Sequence, residues 1–531
     1  MGLSSEKRLS ANAAMIMFAT LLSRITGFLR TVLIRNIMQP RGYSDEFWVS
    51  FSLPDLAFEL LVSGAIAAAI IPVLASSLIN NDEENGWKAV GTFLNITVIA
   101  VFIIEIIFFI WTPECIRIVA SGYSAGTEEF ALTVKLTRIL LPSAVFMIFV
   151  GQFNGILNAY NKFAAAAFGP VIYNICVMTS IIAFGGVSAE LTAWGVLASS
   201  VVYFLIQLAC VWKHLNFYKF RLYIKNETFL KLLKLAIPSL TASAVMYINV
   251  IISRSFSTQF AQNSVTMMTN ANRTWQLPLG IFAQSMGVAI LPTLSTRFAE
   301  DRGGDYKRVL YKGIRTVMVL CIPCTMVLML LSRQIMQILF KWSNMPYYET
   351  MLNGVALLAY APALLFQSVV VILNRAFYSI QNTRIPFFCG LCTIAINILI
   401  NVYLLHNSDM GAVGTALAYV IAVMVNSFLL VILFSKKTGL SLLPDNFDFL
   451  ARTSVATVVA GIVLWLLIAV IPFPAAETYS FAGKVMEILV VGVQLIFAFI
   501  AFVVSAVLLK IEDVRYFIGS ILVRIREITG K

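Results

Sequence analysis

Charge is scarce in this sequence. Of 531 residues, 12% are Asp, Glu, Lys or Arg, while 60% are hydrophobic. Soluble domains carry roughly 25% charged residues, so a soluble fold is excluded and an integral membrane protein is expected. Histidine is rarer still. The two present, His214 and His406, fall at loop positions on opposite sides of the membrane in the topology below, so they cannot share a metal site or a catalytic centre. No Walker-type phosphate loop, H-E-x-x-H or G-x-S-x-G motif occurs. The chain is therefore read as a non-enzyme, with no cofactor and no metal, and any uphill work must come from an ion gradient, the membrane potential or consumption of product. The seven cysteines offer no disulfide framework. "CIPC" (Cys321, Cys324) and "CGLC" (Cys389, Cys392) have redox or metal spacing, but each lacks a second ligand pair and lies in an apolar span, where cysteine acts as a small hydrophobe. The apolar run from Ala11 has no small-residue cleavage site before a polar start, so it is expected to be a transmembrane helix rather than a removable signal.

Long apolar runs are abundant. A bilayer core of about 30 Å needs about 20 residues of helix, and such runs fall near 11–35, 47–78, 89–111, 130–156, 163–184, 191–212, 229–256, 264–293, 313–332, 350–378, 385–405, 411–434, 452–472 and 485–509. The expectation is an all-α polytopic membrane protein with fourteen spans, of which the second and eighth contain prolines and polar residues and are expected to bend. Cations alternate along the connections. Lys7 and Arg8 precede the first span, six cations from Lys213 to Lys234 follow the sixth, and six from Arg297 to Arg315 follow the eighth, whereas 185–190 and 257–263 have none. By the positive-inside rule the N-terminus is cytoplasmic. An even span count returns the tail to the same side, where Arg515, Arg524 and Arg526 suit an interfacial amphipathic helix. Cytoplasmic loops thus account for the net charge of +12, and no nucleic-acid partner is implied.

Landmarks of the first half recur in order in the second. "SFSLP" ending at Pro54 resembles "TWQLP" ending at Pro278, and "AIIPVLAS" around Pro72 resembles "AILPTLST" around Pro292. "ILNAYNKF" (156–163) resembles the start of "ILNRAFYSIQNTR" (372–384). The displacement is six spans, so both copies keep one orientation. This predicts two parallel six-helix lobes, 1–222 and 223–440, with 441–531 supplying two further helices and the basic tail. Transporters built from parallel repeats hold substrate between the lobes and alternate access by rocking.

Intramembrane cations define the candidate site. The first span carries Arg24, Arg30 and Arg35, with Arg24 near its middle. Arg35 returns to within about 20° of the Arg24 azimuth, and its place near the helix end suggests snorkelling to the interface. Gly27 offers a bend that draws Arg24 and Arg30 together. Arg138, Arg254, Arg273 and Arg375 lie in later spans, with Asn270, Asn272 and Trp275 beside Arg273. Carboxylates in the spans are fewer, Glu59 and Glu105; the latter reads equally as a coupling-ion site or as a partner for a neighbouring helix. Surplus guanidinium suits phosphate, because its planar fork donates paired hydrogen bonds. The expected substrate carries a phosphate or diphosphate.

"SRITGFLR", "SDEFWVSFSLPDL", "GAIAAAIIPVLA" and "ANRTWQLPLGIFAQSMGVAILPTLS" together resemble the MurJ (MviN) family of lipid II flippases, in the multidrug/oligosaccharidyl-lipid/polysaccharide exporter superfamily. The resemblance covers nearly the whole chain. It implies transport of undecaprenyl-diphosphate-linked peptidoglycan precursor to the outer leaflet of the bacterial inner membrane, in cell-wall biogenesis. A central cationic cavity would take the head, and a groove toward the last two helices would take the polyprenyl tail. Membrane lipids are the other partners implied, and a monomer is expected. By motif, Arg24 and Arg30 match the family's first-helix arginines, Asp45 its acid in "TDAF"-like segments, and Arg273 the arginine of "ADRLMEFP"-like segments, here after Asn272 instead of an acid. Arg254 joins these as a substrate-binding candidate. Phe58 and Glu59 stand where the family often shows paired basic residues, and "VSGA" (62–65) where it often shows "AEGA". These departures leave open a sister role on another lipid-linked oligosaccharide. An exporter of cationic drugs would want acids and aromatics in the cavity, and a membrane-embedded glycosyl- or phosphotransferase an acidic pair or general base in the outer loops.

Overall fold

Backbone polar groups in a bilayer must be satisfied within their own segment, and the chain answers with helices. A computed structural model describes residues 3–63, 69–300, 303–342, 347–407, 410–474, 480–511 and 514, and among them no strand occurs. The tail arginines 515, 524 and 526 lie outside the described residues. Among the described residues twelve helices are long and apolar enough to cross a membrane, against the fourteen spans read from sequence. The two predicted spans outside that set are 47–78 and 229–256. The first is broken into α2 (Ser44–Ser50), α3 (Ser52–Phe58), a π-helical turn at Glu59–Ser63 and α4 (Ile71–Ile79). The second forms one helix, α10 (Glu227–Ser257), of 31 residues.

The helices form two compact units, Met1–Thr266 and Met267–Lys531. In the first, α1 (Leu3–Leu33) packs on α8 (Phe163–Phe184), while α7 (Glu128–Ala159) and α9 (Ala189–Val211) pair along their length. The short helices α2 and α3 lie on α7, and α10 packs on α5 (Glu83–Ile110) and on the Glu59–Ser63 turn. Thus α10, assigned by the sequence reading to the second lobe, packs within the first unit. Lipid offers no hydrophobic drive between helices, so small residues that permit close approach matter. Gly195 of α9 is one: a Cβ there would lie 1.9 Å from Ser180 Oγ of α8. Buried hydroxyls turn back on their own helices, as Thr92, Thr97, Thr133 and Thr137 donate to carbonyls four residues earlier.

A proline is followed by a π-helical turn in each unit. Pro54 is followed by the π-helical turn at Glu59–Ser63, and Pro278, closing α11 (Ser264–Pro278), by another at Leu279–Gln284. Proline withholds an N–H from the helical ladder, and helices widen or bend where that bond is lost. The second unit continues through α12 (Ser285–Ala299), α13 (Gly303–Leu330), α14 (Ser332–Phe340), α15 (Tyr347–Tyr360), α16 (Pro362–Ser379), α17 (Arg384–Asn407) and α18 (Val413–Thr438). There α16 pairs with α18 and α17 with α18, as α7 does with α9 and α8 with α9. The helices α19 (Leu442–Val470) and α20 (Phe481–Leu508) form an antiparallel pair on α13, sealed by Val319, Ala456, Ala460, Phe502 and Ala506.

One buried ion pair holds α20 to α14. Lys484 Nζ lies 2.6 Å from Glu487 Oε2 and donates to the Gln337 carbonyl at 2.9 Å, while Gln337 Nε2 donates to Glu487 Oε1 at 2.6 Å. The two charged side chains are 4% and 3% exposed, so removing one strands the other. Glu487→Ala is expected to destabilise the protein by about 3–5 kcal/mol, whereas Lys484→Met with Glu487→Leu is expected to be close to neutral. Thermal melting of the two purified variants checks this ordering.

Candidate functional site

The first unit gathers polar side chains from four helices. On α1, Ser23 and Thr26 face α8, where Asn174 Nδ2 donates to the Ser23 carbonyl at 3.2 Å and to Thr26 Oγ1 at 3.3 Å. One position before Asn174, the Tyr173 hydroxyl lies within electrostatic reach of both Arg30 of α1 and Asp55 of α3. Asp55 Oδ2 accepts from the Tyr247 hydroxyl of α10 at 3.0 Å. Tyr247 in turn feels Arg254, two helical turns along α10, and Arg254 Nη1 donates to Ser52 Oγ at 2.7 Å. Hydrogen bonds thus link Tyr247 to Asp55 and Arg254 to Ser52, with Tyr173 in the electrostatic neighbourhood of Asp55 and Arg30.

Local structure explains why these groups meet. Pro54 lies in the first turn of the short helix α3, where a missing N–H is tolerated, and Asp55 follows it directly. Arg30 and Arg254 are both half-buried, and Arg30 Nε has no hydrogen-bond partner. Among the described residues no ion pair engages either guanidinium. Two cations thus share the neighbourhood of one exposed carboxylate, with phenol hydroxyls as further donors. This set can bind a multiply charged anion by forked, charge-assisted hydrogen bonds.

The other predicted residues have different settings. Arg24 is half-buried on α1. Asp45 is buried and both its oxygens are engaged: Oδ2 accepts from Val265 N at 3.1 Å, and Oδ1 from Thr266 N at 2.8 Å and Thr266 Oγ1 at 2.5 Å. It caps the N-terminus of α11, where unpaired N–H groups and the helix dipole favour a carboxylate. Arg35 departs from the snorkelling expected of it. It is 2% exposed, because the helix widens into a π-helical turn at Ile34–Met38 and carries the side chain inward. Arg138 stands 5.4 Å over the Phe109 ring. Glu105 is buried with Oε1 unpartnered, and Glu59 is half-buried. In the second unit Arg273 is exposed, while its neighbours Asn270 and Trp275 are buried and Trp275 stacks on Tyr360 and tilts against Tyr419. Arg375 is half-buried on α16.

Sequence reasoning missed Asp55, Tyr173, Tyr247 and Ser52. Asp55 carried a usable signal, an acid directly after a proline inside an apolar run. The tyrosines carried none, because an aromatic residue in a span reads as ordinary packing.

Comparison with known proteins follows from this geometry. A family model described as "Lipid II flippase MurJ" matches residues 35–509. The "Probable lipid II flippase MurJ" of Buchnera aphidicola subsp. Acyrthosiphon pisum is 26% identical over 452 residues, covering 85% of this chain and 88% of that protein. A solved structure, "Lipid II flippase MurJ, inward closed conformation", superposes with a TM-score of 0.73 at 23% identity, covering 92% of this chain and 98% of that one. An inward-facing multidrug transporter of the MATE family superposes at 0.65 with 16% identity, covering 81% and 97%; both likenesses concern the fold. The match over most of its length places the chain in the family of MurJ lipid II flippases.

Proposed function

We propose that this protein moves lipid II, the undecaprenyl-diphosphate-linked peptidoglycan precursor, from the cytoplasmic to the outer leaflet of the bacterial inner membrane. The observation that carries the reading is the pair of half-buried guanidiniums, Arg30 and Arg254, neither of which has an ion pair among the described residues, with Arg254 donating to Ser52 Oγ instead. A diphosphate supplies the anionic charge and the acceptors that this set lacks. Arg24 and Arg273 are taken as further contacts to the head group during alternating access. Asp45 is taken as a positioning residue, since its oxygens hold α11. The family's activity is transport, not catalysis, and no bond in the substrate changes.

The reading includes fourteen spans, with the helical series from Phe47 to Ile79 and α10 crossing the bilayer beside the twelve longer apolar helices. Both termini are then cytoplasmic, and a single copy suffices for the site described. The predicted lobes, 1–222 and 223–440 with the C-terminal pair added, would rock as bodies. In this topology the stretches 41–46, 111–129 and 257–263 share the outer face.

Two outcomes follow. Arg30→Ala and Arg254→Ala should each slow lipid II translocation about 10- to 100-fold, the effect of losing a charged hydrogen bond of roughly 1.5–3 kcal/mol. Arg→Lys at either place should fall between, keeping charge but losing the fork; reconstituted flipping rates in proteoliposomes measure this. In cells depleted of the protein, lipid II should accumulate in the inner leaflet; accumulation of a different lipid-linked sugar would turn the assignment to a sister substrate.

A further inference from the structure

A second polar site lies in the first unit, away from these arginines. A cavity of about 230 Å³ is bounded by the start of α2, by residues 122–129 at the start of α7, and by the connection after α10. Its acidic lining is Asp45, Glu46 and Glu129, with Tyr123, Thr258 and Gln262 among the uncharged residues, and no Lys, Arg or His lines it. The walls are built rather than incidental. Gly122 N donates to Thr258 Oγ1 at 3.0 Å, Gln259 Nε2 donates to Ser121 Oγ at 2.7 Å, and the Ser121 and Ser255 hydroxyls lie 3.0 Å apart. The two chain segments meet so closely at Gly122 that a Cβ would fall 2.0 Å from the Thr258 carbonyl oxygen.

The acids play different parts. Asp45 has both oxygens engaged by the N-terminus of α11. Glu46 is only 2% exposed, and its Oε2 has no hydrogen-bond partner. Glu129 is exposed at the rim. A buried carboxylate facing two others, with an unused oxygen and no cation beside it, is costly unless something positive joins it. Among the described residues no group of three or more His, Cys, Asp or Glu is arranged to hold a metal ion, which argues against a dedicated divalent site. The space is large enough for an ion with several waters, each of which takes about 30 Å³.

We propose that this cavity binds a small monovalent cation, an alkali-metal ion or a primary ammonium group, with Glu46 as its anionic ligand and Glu129 as an outer attractor. Burial, with Asp45 and Glu129 adding to it, pushes the Glu46 carboxyl up to about 8, and burial with these acids also raises the Tyr123 hydroxyl. Without a ligand Glu46 therefore holds a proton below about pH 8. A cation replaces that proton, so affinity rises with pH through this value and falls below it.

The test is thermal melting of the purified full chain in neutral detergent, with sodium, potassium or methylammonium chloride replacing choline chloride at constant ionic strength. At pH 9 a small cation should raise the melting temperature by several degrees over choline, saturably, and at pH 6 the gain should shrink by at least half. Response to sodium or potassium assigns an alkali ion; response to methylammonium alone assigns an ammonium group. Glu46→Gln should remove the response while melting higher than the parent in choline at pH 9, since its lone buried charge is gone. Glu129→Gln, on the exposed rim, should keep the response with several-fold weaker half-saturation. Equal melting in every salt, or a full response retained by Glu46→Gln, would overturn the proposal.

Discussion

Keeping a guanidinium inside an apolar helix bundle is the constraint on which the rest of the structure depends. On insertion scales such a charge at mid-span costs about 2.5–3.5 kcal/mol. Around Arg254 the chain sets a hydroxyl and, one tyrosine away, a carboxylate. Pro54 and the π-helical turn after it place Ser52 and Asp55 beside Arg254 and Tyr247 of α10. Tyr173 of α8 lies in the electrostatic neighbourhood of both Asp55 and Arg30 of α1. Neither Arg30 nor Arg254 has an ion pair among the described residues, and this deficit is what a diphosphate would fill.

The same electrostatic logic separates structural charges from functional ones. Lys484 and Glu487 are almost wholly buried, 2.6 Å apart, with Gln337 saturating both; they fix α20 to α14. Asp45 is likewise complete, with three donors from α11. Arg30 and Glu46 are incomplete, each with a buried atom lacking a partner. Incomplete polar groups in a close-packed interior are where ligands are expected to act, because their desolvation has no internal compensation.

Much of this was legible in the sequence. Apolar length alone located twelve helices, and the arginines of α1 and α10 stood out because charge in such runs is expensive. Other features were not legible. The 47–78 run was expected to bend, but its spacing did not show the π-helical turn at Glu59–Ser63. Arg35 was expected to reach the interface, yet a local widening of the backbone, invisible in residue spacing, turns it inward. Asp45 matched a motif without revealing its partner, because helix capping here joins residues more than two hundred positions apart. Tyr173 and Tyr247 gain meaning only from the carboxylate they share.

The central claim is that Arg30 and Arg254 hold the substrate through its diphosphate. Native mass spectrometry of the detergent-purified protein with undecaprenyl diphosphate and undecaprenyl monophosphate in competition tests it most directly. The account predicts about a tenfold or greater preference for the diphosphate, collapsing toward equal occupancy in the Arg30→Ala, Arg254→Ala double variant. An undiminished diphosphate preference in that variant would contradict it.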